Sequence, residues 1–257
     1  MGERMKGKIA FITGGSEGIG RATGLRLAEE GAHVVICARR AEPLAEAEAA
    51  IRAAGGSVEA LKLDVGDADA FERAIADTAK KHGRLDALVN NAMSVTYASI
   101  LDTTLEDWRR DFRVNAEAVF VGTRAALRIM YEQKRGSIVN IASTNGLLAM
   151  TMMSSYSASK AALIHFSAVA AMEAAPYNVR VNVIAPGQIF TPAVENYAKL
   201  QPERAAKSSA AIPMKRGGQP KELADAVLFL TSDESTFVTG ICMPVDGGKS
   251  VQMHVAE

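Results

Sequence analysis

The order of apolar runs along this chain predicts an α/β protein: one domain with a doubly wound, seven-stranded parallel sheet and helices on both faces. Three observations predict it. Seven short apolar runs alternate with longer stretches of helical periodicity. A glycine-rich turn follows the first run directly. No repeat, linker or low-complexity segment divides the 257 residues, a normal length for a single α/β domain.

Composition narrows the function classes. Hydrophobic residues make up 48% and charged residues 23%, so a large core can be buried. The 29 basic and 29 acidic side chains balance. Neither nucleic acid nor an anionic membrane is therefore an expected partner, because both need a basic face. Near-zero charge offers little resistance to self-association. Cys37 and Cys242 sit in apolar runs and read as small core residues. The histidines, at 33, 82, 165 and 254, show no ligand spacing, so no metal is expected, and His165 reads as a packed residue. The first residues carry no apolar signal and no run reaches a membrane span, which leads to the expectation of a soluble cytoplasmic protein.

The first strand, 8–13, flows into Gly14-Gly15-Ser16-Glu17-Gly18-Ile19-Gly20, and a helix over about 18–30 ends at Gly31. Strand, glycine turn and helix are the context of a dinucleotide site. Glycines let backbone amides approach a pyrophosphate seated on the helix N-terminus. Gly14, Ser16, Gly18, Ile19 and Gly20 are the candidate contacts. The second strand, 33–38, ends in Ala38-Arg39-Arg40. An acid at this place would hold the ribose hydroxyls of NAD, whereas a guanidinium forks onto a phosphate. NADP(H) is therefore expected over NAD(H), with Arg39 as the main contact and Arg40 beside it. Glu17 weakly opposes an extra phosphate, and a solvated charge pair is the other reading of the arginines.

A helix over 41–54 and a third strand, 58–63, lead to Asp64-Val65. Asp64 either accepts a hydrogen bond from an adenine amino group or caps the helix of 67–82. The fourth strand, 85–89, runs into Asn90-Asn91-Ala92-Met93, suited both to satisfying loop backbone and to positioning a cofactor. One long helix is expected over 105–131, with Asn115 at a mildly unfavourable interior position. The fifth strand, 136–141, places Ser143 at the carboxyl edge of the sheet, where the ligand crevice belongs. The next helix runs to about 175, with Ser154 or Ser155 as its cap. The sixth strand, 179–185, leads to Pro186-Gly187-Gln188. Residues 191–218, with Pro192, Pro202 and Pro213, read as irregular, and a lid or substrate loop is expected at about 188–218. A helix over 220–231 and a strand over 241–245 complete the chain.

Tyr156 and Lys160 stand four apart on the helix that follows Ser143, so they share a face. A phenol keeps its proton until about pH 10. A neighbouring ammonium favours the phenolate and is expected to bring that pKa toward working pH, where acid/base transfer is efficient. Such a phenol is what carbonyl/alcohol redox chemistry requires.

In this order and spacing, Thr13-Gly14-x-x-x-Gly18-Ile19-Gly20, Asp64, Asn90-Asn91-Ala92, Asn115, Ser143, Tyr156-x-x-x-Lys160 and Pro186-Gly187 resemble the short-chain dehydrogenases/reductases over essentially the whole chain. The resemblance implies a Rossmann-like fold and residue roles. Tyr156 would be the proton donor/acceptor. Lys160 would lower its pKa and bind the nicotinamide ribose. Ser143 would hydrogen-bond the substrate oxygen, and Asn115 would hold a water linking Lys160 to solvent. Asp64 and Val65, with Asn91 and Ala92, would line the adenosine side, and Pro186, Gly187, Ile189 and Thr191 the nicotinamide side. Met93 departs from the family, which usually has glycine there, and adds bulk near the substrate mouth. Candidate substrate contacts are Met93, Asn145, Met150, Met153 and Gln188. The apolar loop residues Leu147, Leu148, Met150, Met152 and Met153 suit a hydrophobic ketone, or equally packing beneath a lid or at a subunit contact. The expected activity is NADP(H)-dependent interconversion of a ketone and a secondary alcohol. The alternatives are reduction of a 3-oxoacyl thioester on an acyl carrier protein and, outside enzymes, a cofactor-binding sensor or scaffold. The family also implies a homotetramer built through 105–131 and 155–175.

Overall fold

In the computed structural model, which describes residues 2–252 apart from the side chains at 193 and 197, the apolar runs become seven strands. They are β1 (Ile9–Thr13), β2 (His33–Ala38), β3 (Ser57–Lys62), β4 (Ala87–Asn90), β5 (Gly136–Ile141), β6 (Val179–Pro186) and β7 (Cys242–Val245). The sheet order is β3-β2-β1-β4-β5-β6-β7 and every pairing is parallel. The helices are α1 (Gly18–Glu29), α2 (Ala41–Ala53), α3 (Ala68–His82), α4 (Leu105–Phe112), α5 (Ala118–Gln133), α6 (Ser154–Ala174), α7 (Pro192–Leu200), α8 (Pro202–Ala210) and α9 (Pro220–Thr231).

The strands read as unbroken apolar runs because both faces of the sheet are covered. Successive side chains point to opposite faces. Ile12, Val34 and Ile36 meet Leu27, Ile51, Leu223 and Val227, from α1, α2 and α9. Phe11 and Val35 meet Phe71, Ile75, Ala126 and Ala170, from α3, α5 and α6. Each such large side chain, fully buried, contributes roughly 1.5–3 kcal/mol. From β1 the chain winds outward to β2 and β3, then returns to β4 on the other side of β1. Their carboxyl ends diverge at that switch, and a crevice opens there.

Several local expectations are corrected. The helix expected over 105–131 is interrupted by a π-helical turn, Arg113–Glu117. The extra residue turns Asn115 inward, where it is fully buried. Residues 191–218 are not irregular: α7 and α8 fill most of the stretch. Pro192 and Pro202 open these helices, at positions where a missing N–H costs nothing. Neither Ser154 nor Ser155 caps α6, whose N-cap is Met153 without a side-chain bond. Asp67 caps α3, accepting from the Ala70 N–H at 3.0 Å, which removes that role from Asp64. His165 is exposed, not packed, and His254 lies outside the described residues. Cys37 is buried, and burial pushes its thiol up to about 12, leaving it inert. No helix among the described residues is long and apolar enough to cross a membrane.

Candidate active site

A cleft of ≈ 500 Å³ opens at the carboxyl ends of β1, β2 and β4. Gly14, Ser16, Gly18 and Ile19 line it from the glycine turn, and Arg39 and Arg40 from the end of β2. Asp64 and Val65 line it after β3, Asn91, Ala92 and Met93 after β4, and Thr191 and Pro192 from the start of α7. Asp64 Oδ1 accepts the Gly66 N–H at 2.9 Å, which holds the loop in place. Arg40 pairs with Glu17. That ion pair neutralises the acid of the glycine loop, and Arg39 stands exposed at the rim.

Asn91 braces the turn. Its side chain donates to the carbonyls of Thr13 (2.9 Å) and Gly14 (3.2 Å), and Thr13 Oγ1 accepts the N–H groups of Asn91 and Ala92. Gly14 sits at φ +65° and Gly18 at φ +52°, a conformation that favours glycine. Gly20 acts differently from the expectation. It stands behind the turn, where a Cβ would lie 2.1 Å from the Gly14 carbonyl oxygen, so it allows helix and strand to close rather than lining the cleft. These features fit a dinucleotide. No side chain caps α1, and Gly18 and Ile19 of its first turn line the cleft, so its N–H groups are free of capping side chains and suit a pyrophosphate.

Pro186, Gly187 and Ile189 stand outside the lining of this cleft. Gly187 donates its N–H to the Val245 carbonyl at 3.1 Å and packs on Asp246, and Ile189 belongs to the core. The Gln188 carbonyl accepts the Gly218 N–H at 2.9 Å.

Ser143, Tyr156 and Lys160 converge where α6 passes the end of β5. Tyr156 is buried, and the Ser143 side chain lies close enough to its hydroxyl to favour the phenolate. Lys160 is buried as well, and Nζ donates to the Ile141 carbonyl at 2.8 Å. Nζ lies 5.8 Å from the Tyr156 ring centroid. The expected acidification is not built by the polypeptide alone. Burial raises the phenol to about 12, with the Ser143 side chain acting against that rise. Burial also lowers Lys160 to about 7, since no carboxylate compensates its charge. Without charge on Lys160, the phenol has no ammonium to favour its anion.

Asn115 is placed by the π-turn beside the start of α6. Its Nδ2 donates to the Ser94 carbonyl (2.7 Å) and Ser159 Oγ (3.0 Å), and Oδ1 accepts the Ser94 N–H (2.9 Å). Ser159 Oγ donates to the Tyr156 carbonyl at 2.7 Å. Both amide protons are thus committed to holding the β4–α4 loop and α6 together, and neither is aimed at Lys160.

Sequence reasoning missed Asp111. It is fully buried, and its carboxylate accepts from Ser94 Oγ (2.7 Å), Ser155 Oγ (2.6 Å) and the Thr96 N–H (3.1 Å). Among Arg109, Arg110 and Arg113 it reads as one more surface charge, so no signal distinguished it. At the mouth, Met93 and Met150 are exposed, as are Leu147, Leu148 and Met152. Packing beneath a lid does not account for these five within the chain. Met153 is buried, and its sulfur accepts from Asn145 Nδ2 at 3.2 Å. The Ala98 N–H donates to the Met152 carbonyl at 2.9 Å, and Ala98 pairs with Met153 as an isolated parallel bridge between the two loops. A larger groove, ≈ 1060 Å³, lies between α4, α5 and α6, lined by Trp108, Phe112, Phe120 and Phe166. Neither this groove nor the smaller cleft is lined by Ser143, Tyr156 or Lys160.

Comparison with known proteins agrees with this geometry. A family model described as enoyl-(acyl carrier protein) reductase matches residues 14–250. The chain is 39% identical over 251 residues to 2,5-dichloro-2,5-cyclohexadiene-1,4-diol dehydrogenase LinX of Sphingobium indicum, covering 98% of this chain and 99% of that protein. It is 36% identical over 257 residues to the NADP-dependent (R)-specific alcohol dehydrogenase of Lentilactobacillus kefiri, covering 98% and 100%. The crystal structure of levodione reductase superposes with a TM-score of 0.92 at 34% identity, covering 97% of this chain and 100% of that one. With these matches over nearly its full length, the chain belongs to the short-chain dehydrogenase/reductase family of oxidoreductases, whose members here act on alcohols and ketones.

Proposed function

We propose that this protein interconverts a hydrophobic ketone and its secondary alcohol with NADP(H). The observation that carries the reading is the buried Tyr156, close to Ser143 and one helical turn from Lys160, at the end of β5, the neighbour of β4, whose end lines a cleft suited to a dinucleotide. A bound nicotinamide would supply or accept the hydride. In reduction, the Tyr156 hydroxyl gives its proton to the carbonyl oxygen while Ser143 donates a hydrogen bond to the same atom. Oxidation reverses both. Lys160 stabilises the phenolate when charged, and its lowered pKa lets it exchange a proton near neutrality. Asn115 holds α6 against the β4–α4 loop and so fixes the phenol. Gly14, Ser16, Gly18 and Ile19 would hold the pyrophosphate, Asp64, Val65, Asn91 and Ala92 the adenosine, and Thr191 the nicotinamide side.

Ala38 and Arg39 support NADP(H): no acid ends β2, and the guanidinium stands at the cleft rim. The NADP dependence of the L. kefiri relative supports it too. Exposed Met93, Leu147, Leu148 and Met150 support an apolar substrate, with α7 and α8 as its cover. The aromatic groove between α4, α5 and α6 supports assembly of copies through these helices, as in the tetramer expected from the family. The description of the matching family model supports a second reading, an acyl thioester on a carrier protein. The test is oxidation of NADPH and NADH over a panel of ketones and one 3-oxoacyl thioester, with product chirality read out. Tyr156→Phe should lower turnover at least about 100-fold. Near-normal turnover in that variant would refute the assignment. Activity confined to the thioester would replace the ketone, and cofactor binding without any turnover would leave a sensor.

A further inference from the structure

A second cluster of chemistry-bearing side chains lies at the opposite edge of the sheet. His33 opens β2, Glu59 lies on β3 and His82 ends α3. The sequence separates these residues, and the parallel pairing of β2 with β3 reunites them beneath α3. His33 Nε2 stands 3.3 Å from Glu59 Oε1, and His82 Nε2 stands 3.1 Å from the same oxygen. All three atoms lie within 4.8 Å of one another. Two ligands of one tetrahedral ion, each bound at about 2.0–2.1 Å, stand about 3.3 Å apart. The two measured separations are those of a tetrahedral edge.

The surroundings of His33 point the same way. Its Nε2 is buried and makes no hydrogen bond. Its Nδ1 shares a hydrogen bond of 2.6 Å with Ser57 Oγ. A polar partner on one ring nitrogen fixes an imidazole's orientation and leaves the other nitrogen for a metal. The side chains of His33, Glu59 and His82 are 19%, 27% and 18% exposed, so the cluster lies at the surface with His33 Nε2 on its inner side. Lys81 competes: Nζ donates to Glu59 Oε1 at 2.7 Å. Its side chain is 62% exposed and can swing into water when a cation takes its place.

We propose that His33, Glu59 and His82 bind one divalent ion of the zinc class, with water completing the shell. Two imidazoles and one carboxylate suit Zn²⁺ better than Mg²⁺ or Ca²⁺, which take oxygen. The ion ties β2, β3 and α3 together at the amino edge. The length of β2 sets it about 17 Å from the carboxyl edge. Its role is therefore structural, and turnover does not depend on it.

The test uses the full chain, stripped with a chelator and titrated with Co²⁺ alone, then with Zn²⁺ by calorimetry. We expect one equivalent of Co²⁺ with the intense visible absorption of a tetrahedral site, displaced by Zn²⁺. Zn²⁺ at 100 times its Kd should raise the melting temperature by about 5–10 °C. His82→Gln and Glu59→Gln should each weaken binding at least about 10-fold, with turnover unchanged, while the exposed His165→Gln should leave binding intact. Lys81→Gln should tighten binding, because it removes the competing cation. It keeps the proposal testable even if the ligand variants fold poorly. Absence of the tetrahedral spectrum, binding that survives His82→Gln and Glu59→Gln, or a weaker site in Lys81→Gln would each overturn the proposal.

Discussion

Replacing Lys160 by methionine should abolish turnover and at the same time stabilise the protein. The side chain is 2% exposed, its one hydrogen bond goes to the Ile141 carbonyl, and no carboxylate balances it. Burial lowers its pKa from 10.5 to about 7. In the unfolded chain Lys160 holds its proton up to 10.5. Between about 7 and 10.5 the unfolded state therefore binds more protons than the folded state, so this group makes stability rise with pH across that window. Below it, the charged side chain is buried at full cost. At about 1.4 kcal/mol per pH unit, the 3.5 units between the two values amount to about 5 kcal/mol. Methionine fills similar space without charge and loses one hydrogen bond worth about 1 kcal/mol. A gain of about 4 kcal/mol is expected near pH 6, shrinking toward zero or below near pH 10.5. Urea unfolding of both proteins at fixed concentration, at pH 6, 8 and 10, measures it. A methionine variant less stable at pH 6, or a difference that does not change with pH, would refute the reasoning. It would mean that the fold compensates the ammonium in a way its single hydrogen bond does not reveal.

Further outcomes follow from other contacts. Arg39→Ser should raise the KM for NADPH about 10-fold or more and leave that for NADH nearly unchanged, since a charge-assisted hydrogen bond carries about 1.5–3 kcal/mol; equal effects on both would remove Arg39 from the phosphate. In the cofactor-free protein, the wild-type minus Tyr156→Phe difference spectrum should show no tyrosinate below about pH 10, because burial holds this phenol near 12. Asp111→Asn turns an NH₂ group toward donors and should cost about 1–3 kcal/mol in urea unfolding, together with turnover, because Ser94 and Ser155 lose their common acceptor. Gly20→Ala places a methyl 2.1 Å from the Gly14 carbonyl. It should cost about 1–3 kcal/mol or more and weaken cofactor binding, both readable by a thermal shift with and without NADPH.

The sheet was legible in the sequence because a parallel sheet buried on both faces leaves continuous apolar runs, and Phe11-Ile12 or Val34-Val35 show this in adjacent pairs. The glycine turn was legible because Gly14 and Gly18 answer a local backbone demand. The helices of 191–218 were not: proline reads as a breaker, and only the structure shows Pro192 and Pro202 in first turns, where proline is at home. The spacing of Tyr156 and Lys160 was visible, but their protonation was not. Charge on a buried lysine depends on what surrounds it, and spacing along a helix carries no information about burial. For the same reason Asp111 looked like an ordinary surface acid, and His33 and His82 looked unrelated. Contacts made across the fold leave no local trace.

The short bridge from Ala98 to Met153 has a practical consequence for altering this protein. Two segments that frame the mouth are zipped together at one point, with Met152 beside it at φ +65°. Widening the opening for a bulkier molecule therefore shifts both segments as a unit. Variant libraries that diversify only 147–152 should mostly rearrange their own tips, whereas joint variation with 94–98 should move the frame itself.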